Sequence, residues 1–552
     1  MIPPHPPSRT LSRFLRAEDG VMTILGVMVF LLILLAGGVA LDFMRFEERR
    51  AHLQYTLDRG VLAAASLRQV EDREIVIQNY LRAAGLDPDA VVVSGEEGVN
   101  FRTVRGRIDA PVDTLFLNML GIDRLIAPAA SEASERIQKV EISLVLDVSG
   151  SMGARSSVSG RTKMAEMQEA AKAFVTEVLT DRRDLVSVSL IPYNHAVNLG
   201  STLDDYYALD ATHAFSSCAR FTAADYGRTD IPTDRTLRRL APFDPNWHGE
   251  NRNSGWWRYW HWFSEDGQTP RPECPMSDQA RILAWSNDIA ALHDAIDALR
   301  ADGRTAIDLG MKWGVALLDL SARTRLNAMV EDGHVAEAFR DRPHDYRLQD
   351  VLKIVVVMTD GENTTRYDVK ADKRPASSGV YAFAADFPSL TIPQRRARVM
   401  RDAGDLTFSL WDSEARTFRP ENGTASMSAP VGGANAYQLT TDELFVIRAQ
   451  PYVHSFMAAG MSNAAKSRWT GTNETVANDT GADANLASVC AAARGADVIT
   501  FAIGFQAPAG GRHVMKTCAS SDAHYYDIEG DTPILTAFSD IARVINQLKL
   551  TQ

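Results

Sequence analysis

An aspartate and two serines stand at alternate positions directly after an apolar stretch of the chain. Residues 142–146 lead into Asp147, Ser149 and Ser151, which form an Asp-x-Ser-x-Ser pattern. The pattern predicts a buried strand that ends in a tight loop and presents one carboxylate and two hydroxyls together. Hard divalent cations such as Mg²⁺ prefer oxygen ligands of this kind. Taken alone, the segment also fits an ordinary strand-to-helix turn in which Asp and Ser act as caps.

Two later segments offer the oxygen atoms that would complete a cation site. Residues 303–310 predict a short turn before a helix, and this turn carries the hydroxyl of Thr305. Residues 354–358 form an apolar run that leads to Asp360, as expected of a strand buried on both faces of a parallel sheet. Ligands of open α/β sheets bind at the carboxyl ends of the strands. We therefore expect five residues to meet at that edge: Asp147, Ser149, Ser151, Thr305 and Asp360.

These residues, in this order, resemble the metal-ion-dependent adhesion site of a von Willebrand factor type A domain. In that family the two serines and the threonine bind the cation directly, and the two aspartates act mainly through bound water. The resemblance implies Mg²⁺ as the cation, with Mn²⁺ and Ca²⁺ as alternatives. Neutral hydroxyls would leave the cation much of its charge, so that it could bind a Glu or Asp of a protein partner.

An enzyme would use the same cation as a Lewis acid or to activate water, and would need a general base beside it. His195 and His524 are the candidate bases, and neither has the spacing of a known metallohydrolase motif. No P-loop and no nucleophile elbow occurs in the sequence. The sequence therefore favours a binding protein over an enzyme. A metal-dependent hydrolase and a scaffold with a purely structural metal are the alternatives.

Strands that alternate with helices surround these motifs and predict an α/β domain with a doubly wound, mostly parallel sheet. The domain is expected over residues 139–549, with insertions at about 200–280 and 364–480. The first insertion holds five of the nine tryptophans, which predict either a small local core or an interface. The second insertion shows few strong patterns and predicts a loosely packed excursion.

Residues 21–41 contain no charged side chain, and a bilayer core of about 30 Å requires about 20 such residues. They predict a transmembrane helix, preceded by a cytoplasmic tail over residues 1–20. A buried helix and a cleaved signal peptide are the alternatives, but no clear small-x-small cleavage site follows the run. Arginines flank the run on both sides, so the positive-inside rule does not orient it.

Residues 42–138 predict a small α+β, pilin-like module. The membrane helix is expected to continue to about Leu67, followed by a helix over residues 75–84. Short strands are expected at residues 91–93 and 101–108, and a small helix at residues 113–120.

Residues 16–20, the apolar run, Leu41-Asp42 and the alanines at 63–65 resemble the N-terminal segment of TadG-like proteins. These belong to bacterial tight-adherence (Flp) pilus-assembly systems, and the segment is similar to TadE-like pseudopilins. The resemblance implies a single-pass protein of the bacterial inner membrane with the bulk of the chain in the periplasm. Leu25 stands where prepilin processing after Gly20 would require an acidic residue, so we do not expect processing as a pilin.

Composition and cysteine usage limit the partners and the compartment. Hydrophobic residues make up 45% and charged residues 23% of the chain, and the net charge of −12 argues against a nucleic-acid partner. Four cysteines without C-x-x-C spacing argue against a zinc site and suit two disulfides or four buried thiols. We predict the pairs Cys218–Cys274, within one insertion, and Cys490–Cys518, which bracket a predicted strand.

Overall fold

The computed structural model divides the chain into two compact units, residues 1–137 and residues 138–551. The structure describes residues 19–66, 69, 71–97, 101–136, 139–157, 159–180, 183–244, 272–275, 278–348, 350–374, 376–529 and 532–548. The predicted tryptophan cluster, Trp247 to Trp262, lies outside the described residues.

One long helix organises the first unit. Helix α1 covers Asp19–Ala65 and is followed by helix α2, Arg73–Ala83. Three antiparallel strands in the order β1-β2-β3 form the sheet: β1 Val91–Glu97, β2 Phe101–Asp113 and β3 Arg124–Arg136. Leu53, Leu57 and Val61 recur at helical spacing on the second half of α1 and are fully buried against α2 and the sheet.

The first half of α1 has the properties of a membrane span. Among the described residues, it belongs to the one helix that is long and apolar enough to cross a bilayer. Its large apolar side chains, such as Phe30 and Ile33, are exposed. A soluble protein would bury such a surface, so the predicted N-terminal anchor is supported by both length and exposure.

Two details of the first unit differ from the sequence-based expectation. The helix predicted at residues 113–120 is wrong, because β2 extends to Asp113 and only a short 3₁₀ turn, Leu117–Leu120, follows. Strand β3 was not predicted, because the residues that it buries include Ala127 and Ala129. Such small side chains give only a weak alternating pattern.

A six-stranded sheet forms the centre of the second unit, with the strand order β17-β16-β9-β4-β5-β8. Five strands are parallel and the edge strand β8 is antiparallel. The strands are β4 Lys139–Asp147, β5 Val186–Tyr193, β8 Leu283–Ser286, β9 Val351–Thr359, β16 Ile499–Phe505 and β17 Tyr525–Ile528. The α/β class predicted from the sequence is therefore confirmed.

Both faces of this sheet are covered. Successive residues of a strand point to opposite faces, so Leu144 and Val145 of β4 enter different cores. Leu144 shares a core with Phe174 and Phe538, and Val145 shares one with Trp313.

The helices of the second unit are α3 Lys163–Leu179, α4 Gly200–Asp204, α5 Ile289–Asp297, α6 Ile307–Ala316, α7 Arg323–Glu331, α8 Ile392–Arg401, α9 Thr441–Ile447, α10 Gln450–Tyr452, α11 Asn463–Thr470, α12 Asp479–Gly495, α13 Ala509–Cys518 and α14 Ile534–Leu548.

The prediction that residues 364–480 are loosely packed is wrong. They form a four-stranded antiparallel sheet in the order β13-β12-β11-β14, and a separate β10-β15 pair. These strands are β10 Arg366–Val369, β11 Ser377–Phe383, β12 Thr407–Asp412, β13 Thr417–Pro420, β14 Tyr437–Thr440 and β15 Asn473–Ala477. Phe445, Tyr452 and Trp469 are buried in a core of their own. Strands of four to seven residues are too short to show clear periodicity in the sequence.

Both predicted disulfides are confirmed. Cys218 pairs with Cys274 in the first insertion, which also contains the short strands β6, Ala219–Arg220, and β7, Arg238–Arg239. Cys490 of α12 pairs with Cys518 of α13, at a Cα–Cα distance of 5.1 Å. Both bridges lie among buried residues.

We expect the Cys490→Ala/Cys518→Ala double variant to lose about 3–4 kcal/mol of stability, because the bridge restricts the unfolded chain. Calorimetric unfolding of the variant and of the oxidised wild-type protein measures the loss. Reduction of the wild-type protein should lower its stability at least as far, since it also opens Cys218–Cys274. A double variant that unfolds at the wild-type temperature would contradict this expectation.

Candidate metal centre

Two loops meet at the carboxyl edge of the six-stranded sheet because glycines allow them to approach. Strand β4 ends at Asp147 and is followed by a 3₁₀ turn, Gly150–Gly153. The amide of Gly150 donates a hydrogen bond of 2.9 Å to the carbonyl of Gly303. A Cβ atom on Gly150 would lie only 3.1 Å from that carbonyl oxygen. The contact brings the Asp-x-Ser-x-Ser loop beside the loop that carries Thr305.

Asp147 is fully buried, and both of its carboxylate oxygens accept hydrogen bonds from the protein. The amide of Ser149 donates to one oxygen at 2.7 Å, and the hydroxyl of Thr359 donates to the other at 2.7 Å. Thr359 is the last residue of the adjacent strand β9. Asp147 is therefore held in one orientation. Its carboxylate is better placed to organise the loop or to orient a bound water than to bind a cation directly.

Asp360 connects the two serines to strand β9. The hydroxyl of Ser151 donates to the Asp360 carboxylate at 2.5 Å, and the hydroxyls of Ser149 and Ser151 are 3.0 Å apart. Asp360 itself is buried, whereas Ser151 is exposed. One side of this group of oxygens is thus open to solvent.

Thr305 and Ser151 lie on two sides of a small space next to Gly361. The amide of Thr364 donates to the Thr305 carbonyl at 3.0 Å, which ties the two loops together. A Cβ atom on Gly361 would lie 3.3 Å from the Thr305 hydroxyl and 3.7 Å from the Ser151 hydroxyl. These hydroxyls therefore face the same small space, which any larger residue at 361 would enter. The structure brings together all five residues predicted from the sequence.

The donor set suits a hard divalent cation. It consists of three neutral hydroxyls and two carboxylates, and so of oxygen atoms alone, as Mg²⁺, Mn²⁺ and Ca²⁺ prefer. In the described part of the chain, no group of three or more His, Cys, Asp or Glu side chains could hold a metal ion. A cation bound at this edge would therefore depend on the hydroxyls. Metal binding itself stays a prediction.

Lys163 is a member of the site that sequence reasoning missed. It is the first residue of α3, and its ammonium donates to the second Asp360 oxygen at 2.9 Å. Its side chain is only 12% exposed. The lysine supplies a positive charge to a buried carboxylate, a role that an incoming cation would share or take over. One lysine at the start of a helix has no spacing pattern that could have revealed this contact.

Burial and charge repulsion both act on Asp147. Burial is the larger cause and the nearby negative charge of Asp360 the second, and together they raise the pKa of Asp147 from 3.8 to about 6. Hydrogen bonds from Ser149 and Thr359 act in the opposite direction. A divalent cation between the two loops would favour the ionised form, so proton binding and cation binding should compete.

The two histidines considered as candidate bases have other positions. His195 Nδ1 accepts a hydrogen bond of 3.1 Å from the Arg304 amide, and its Nε2 lies 3.1 Å from a Glu273 carboxylate oxygen. Burial lowers the pKa of His195 to about 4. Gly303, at φ +79°, passes so close that a Cβ atom would overlap the ring, so His195 supports the Thr305 loop.

His524 is far from the candidate centre. It directly precedes β17, at the amino end of a parallel strand, whereas Asp147 and Asp360 follow the carboxyl ends of theirs. Its Nδ1 lies 2.7 Å from the Ser521 hydroxyl, and its ring packs against Phe501. The structure therefore places His524 at the opposite edge of the sheet.

A family model matches the N-terminal part of the chain. Residues 20–67 match the Tad family, described as Flp pilus-assembly TadE/G-like. No curated protein matches the chain.

Several solved structures are similar to the chain at low identity. The vWF domain of the type V pili tip protein Mfa5 from Porphyromonas gingivalis is 13% identical, with 75% of this chain and 98% of that chain covered and a TM-score of 0.30. The pilus adhesin SpaC from Lactobacillus rhamnosus GG, in its open conformation, is 11% identical over 82% of this chain and 33% of its own, with a TM-score of 0.29. The PilB minor pilin from Streptococcus sanguinis is 12% identical, with 83% and 78% covered and a TM-score of 0.27. TM-scores of this size support no conclusion about function.

The raised pKa of Asp147 predicts a pH dependence of stability in the absence of metal. Because the folded pKa of about 6 exceeds the ordinary 3.8, the folded state holds the proton more tightly than the unfolded chain. The bound proton therefore stabilises the folded state fully at pH values below the ordinary pKa. This stabilisation, roughly 1–3 kcal/mol in total, is lost as the pH rises through 6. Unfolding measured in EDTA between pH 4 and pH 7 should show this decrease relative to Asp147→Asn, which has no such proton. Parallel curves for the two proteins would contradict it.

Proposed function

We propose that the protein is a membrane-anchored, metal-dependent adhesion or protein–protein interaction protein of a bacterial Flp/Tad pilus-assembly system. The observation that carries the proposal is the convergence of three hydroxyls and two carboxylates from three distant segments beside Gly361. The match of residues 20–67 to the TadE/G-like family supports the assignment to this pilus system.

The topology of the second unit supports a von Willebrand type A domain. The chain enters the six-stranded sheet at the central strand β4, builds β5 and β8 towards one edge, and then crosses to β9, β16 and β17. This strand order is the one expected of a doubly wound sheet, in which ligands bind where the strand order reverses. The reversal lies between β4 and β9, the strands that lead to Asp147 and Asp360.

The residues of the site have separable roles in this proposal. Ser149, Ser151 and Thr305 would hold Mg²⁺ through their hydroxyls, while Asp147 and Asp360 would fix the loops and orient water. When bound, the cation supplies a positive charge that attracts a carboxylate. The exposed side of the site, next to Ser151, is where a Glu or Asp of a protein partner would bind.

The Lys163–Asp360 ion pair favours one alternative function. Since Lys163 already neutralises Asp360, the loops have an electrostatic partner without any cation. The domain would then be a structural scaffold of the pilus machinery, in which a bound metal would only stiffen the loops. The hydrolase alternative is less well supported, because both ring nitrogens of His195 face protein groups.

The anchor and the bridges support the location that we propose. We place the protein in the bacterial inner membrane with its N-terminus in the cytoplasm and residues from about 42 onward in the periplasm. Disulfides form and persist in oxidising compartments such as the periplasm, and the second unit has two of them.

Calorimetry with Mg²⁺ and with EDTA tests the site. Mg²⁺ at about a hundred times its Kd should stabilise the wild-type protein by about 2.7 kcal/mol. Asp360→Ala should fold but lose that increment, because it removes a carboxylate that orients the loop and its water. Lys163→Met, the matched control at the same contact, should keep the increment and bind Mg²⁺ roughly tenfold more tightly, a gain of about 1.4 kcal/mol.

Two outcomes would contradict the metal site. If Mg²⁺ stabilises Asp360→Ala and the wild-type protein equally, the five residues do not form the metal site. If Mg²⁺ has no effect on either protein, neither metal-dependent adhesion nor a scaffold with a structural metal is supported. If the wild-type protein alone shows the shift, partner capture from envelope extracts, with and without EDTA, distinguishes adhesion from a scaffold with a structural metal.

Topology is tested with a reporter enzyme fused after Gln552. A reporter that is active only in the periplasm should be active at this position, because one candidate span, the single one among the described residues, separates it from the proposed cytoplasmic N-terminus. A reporter that is active only in the cytoplasm should be silent. The reverse pattern would show that the chain is inserted in the opposite direction.

A further inference from the structure

The turn between β2 and β3 exposes several large apolar side chains. Leu115, Met119, Leu120 and Ile122 are 54%, 76%, 56% and 44% exposed. Four such residues within eight positions form an apolar patch on a short connection that would normally be polar. We call residues 115–122 the apolar turn.

The apolar turn is tied to α1 at the end of its uncharged run. The buried carboxylate of Asp42 accepts hydrogen bonds from the amides of Leu115, Phe116 and Leu117, at 2.8, 2.7 and 2.8 Å. These three bonds satisfy the start of the 3₁₀ turn, as a capping residue does. The turn therefore has a defined position along the helix.

That position is level with the uncharged run of α1. The Phe116 ring packs on Gly38, where a Cβ atom would lie 2.4 Å from a ring carbon, so the helix surface there is open only because residue 38 is glycine. Gly38 precedes the end of the uncharged run, Leu41, by three residues, or roughly 4–5 Å at the rise of an α-helix. If the run spans the bilayer core, Phe116 lies inside its boundary.

The turn is held in shape by its own hydrogen bonds. The Thr114 hydroxyl donates to the Ile122 carbonyl at 2.6 Å, and the Ile122 amide donates to the Leu117 carbonyl at 3.1 Å. Gly121 adopts a φ of +83°, a conformation that glycine allows without strain. The apolar side chains are thus presented outward by a closed turn.

Charged residues surround the base of the turn. Arg124 Nε lies 2.9 Å from the Asp113 carboxylate, and Arg45 donates to the Asp113 carbonyl at 3.4 Å. Long basic side chains at this level can reach the headgroups of a bilayer. An apolar tip with a charged base has the amphipathic arrangement of an interfacial membrane anchor.

We propose that the apolar turn inserts into the lipid surface beside α1 and forms a second membrane contact. The contact would prevent the first unit from rotating freely about a single helix and would fix one face of its sheet relative to the membrane. This inference rests on the anchor part of the proposed function and is independent of the metal site. The occupant is lipid, because Phe116 joins the turn to the span at Gly38 and the large apolar side chains of both are exposed.

A fluorophore at single introduced cysteines tests the insertion. The native cysteines are all in disulfides, so a new thiol can be labelled selectively without reduction. Met119→Cys is the test position. Leu31→Cys within the span is the lipid control, and Val92→Cys, an exposed residue of β1, is the aqueous control. Val92 pairs with Arg107, roughly 20 Å along β2 from Asp113.

Each labelled full-length protein is reconstituted in phosphatidylethanolamine–phosphatidylglycerol vesicles that contain nitroxide-labelled lipid. The label at 119 should lose emission roughly twofold, as expected of a group at the interfacial depth. The label at 31 should also be quenched, and the label at 92 should not. Quenching at 31 without quenching at 119 would overturn the apolar-turn proposal while leaving the anchor intact. A label at 31 that is not quenched would overturn the anchor as well.

A charge variant separates lipid insertion from a contact with another protein. The label is placed at Leu115→Cys for this comparison. In Met119→Asp/Leu120→Asp, lipid quenching of that label should be lost, because two charges oppose entry into the bilayer. Asn118→Asp adds a single charge at an exposed polar position of the same turn, and the label should keep more of its lipid quenching in this variant. A label at 119 that is shielded from water but not quenched by lipid would mean that a protein covers the turn, and the proposal would fail.

Discussion

Two buried carboxylates at the ends of neighbouring parallel strands are the constraint on which the candidate site depends. Strands β4 and β9 pair in register as far as Leu146 and Met358, so Asp147 and Asp360 must emerge side by side. Buried like charges repel strongly, and each must be compensated. The structure compensates them with the hydroxyls of Thr359 and Ser151, the Ser149 amide and the Lys163 ammonium. A divalent cation would compensate both at once.

The same constraint explains the loops around the site. Because the charges are fixed by the sheet, the hydroxyl of Thr305 must come to them from a segment that is distant in the sequence, whereas Ser149 and Ser151 follow Asp147 on the same loop. Gly150 and Gly303 let two of these loops touch, and His195 supports the second loop from behind. Gly361 leaves space between the hydroxyls of Ser151 and Thr305. The glycines thus shape the site without contributing a ligand.

The sequence predicted the parts of the structure that are encoded by strong local patterns. The apolar runs before Asp147 and Asp360 revealed both strands, and the uncharged run of residues 21–41 revealed the apolar half of α1. The contact of Lys163 with Asp360 was not predictable, since it depends on how α3 packs after the sheet has formed. The core around Trp469 was missed because it is built from short strands and helices that are individually weak signals. Prediction was reliable where one segment carries the pattern, and poor where the interaction exists only in the folded chain.

The proposed function requires that the hydroxyls of Ser149, Ser151 and Thr305 hold a divalent cation. Crystals of the second unit soaked in Mn²⁺ test it most directly, through an anomalous difference map. We expect a single strong peak beside Gly361, within about 2.0–2.6 Å of these oxygens, that disappears in Asp360→Ala crystals. A map without a peak there, or with the Lys163 ammonium still bound to Asp360 and Mn²⁺ elsewhere, would contradict it.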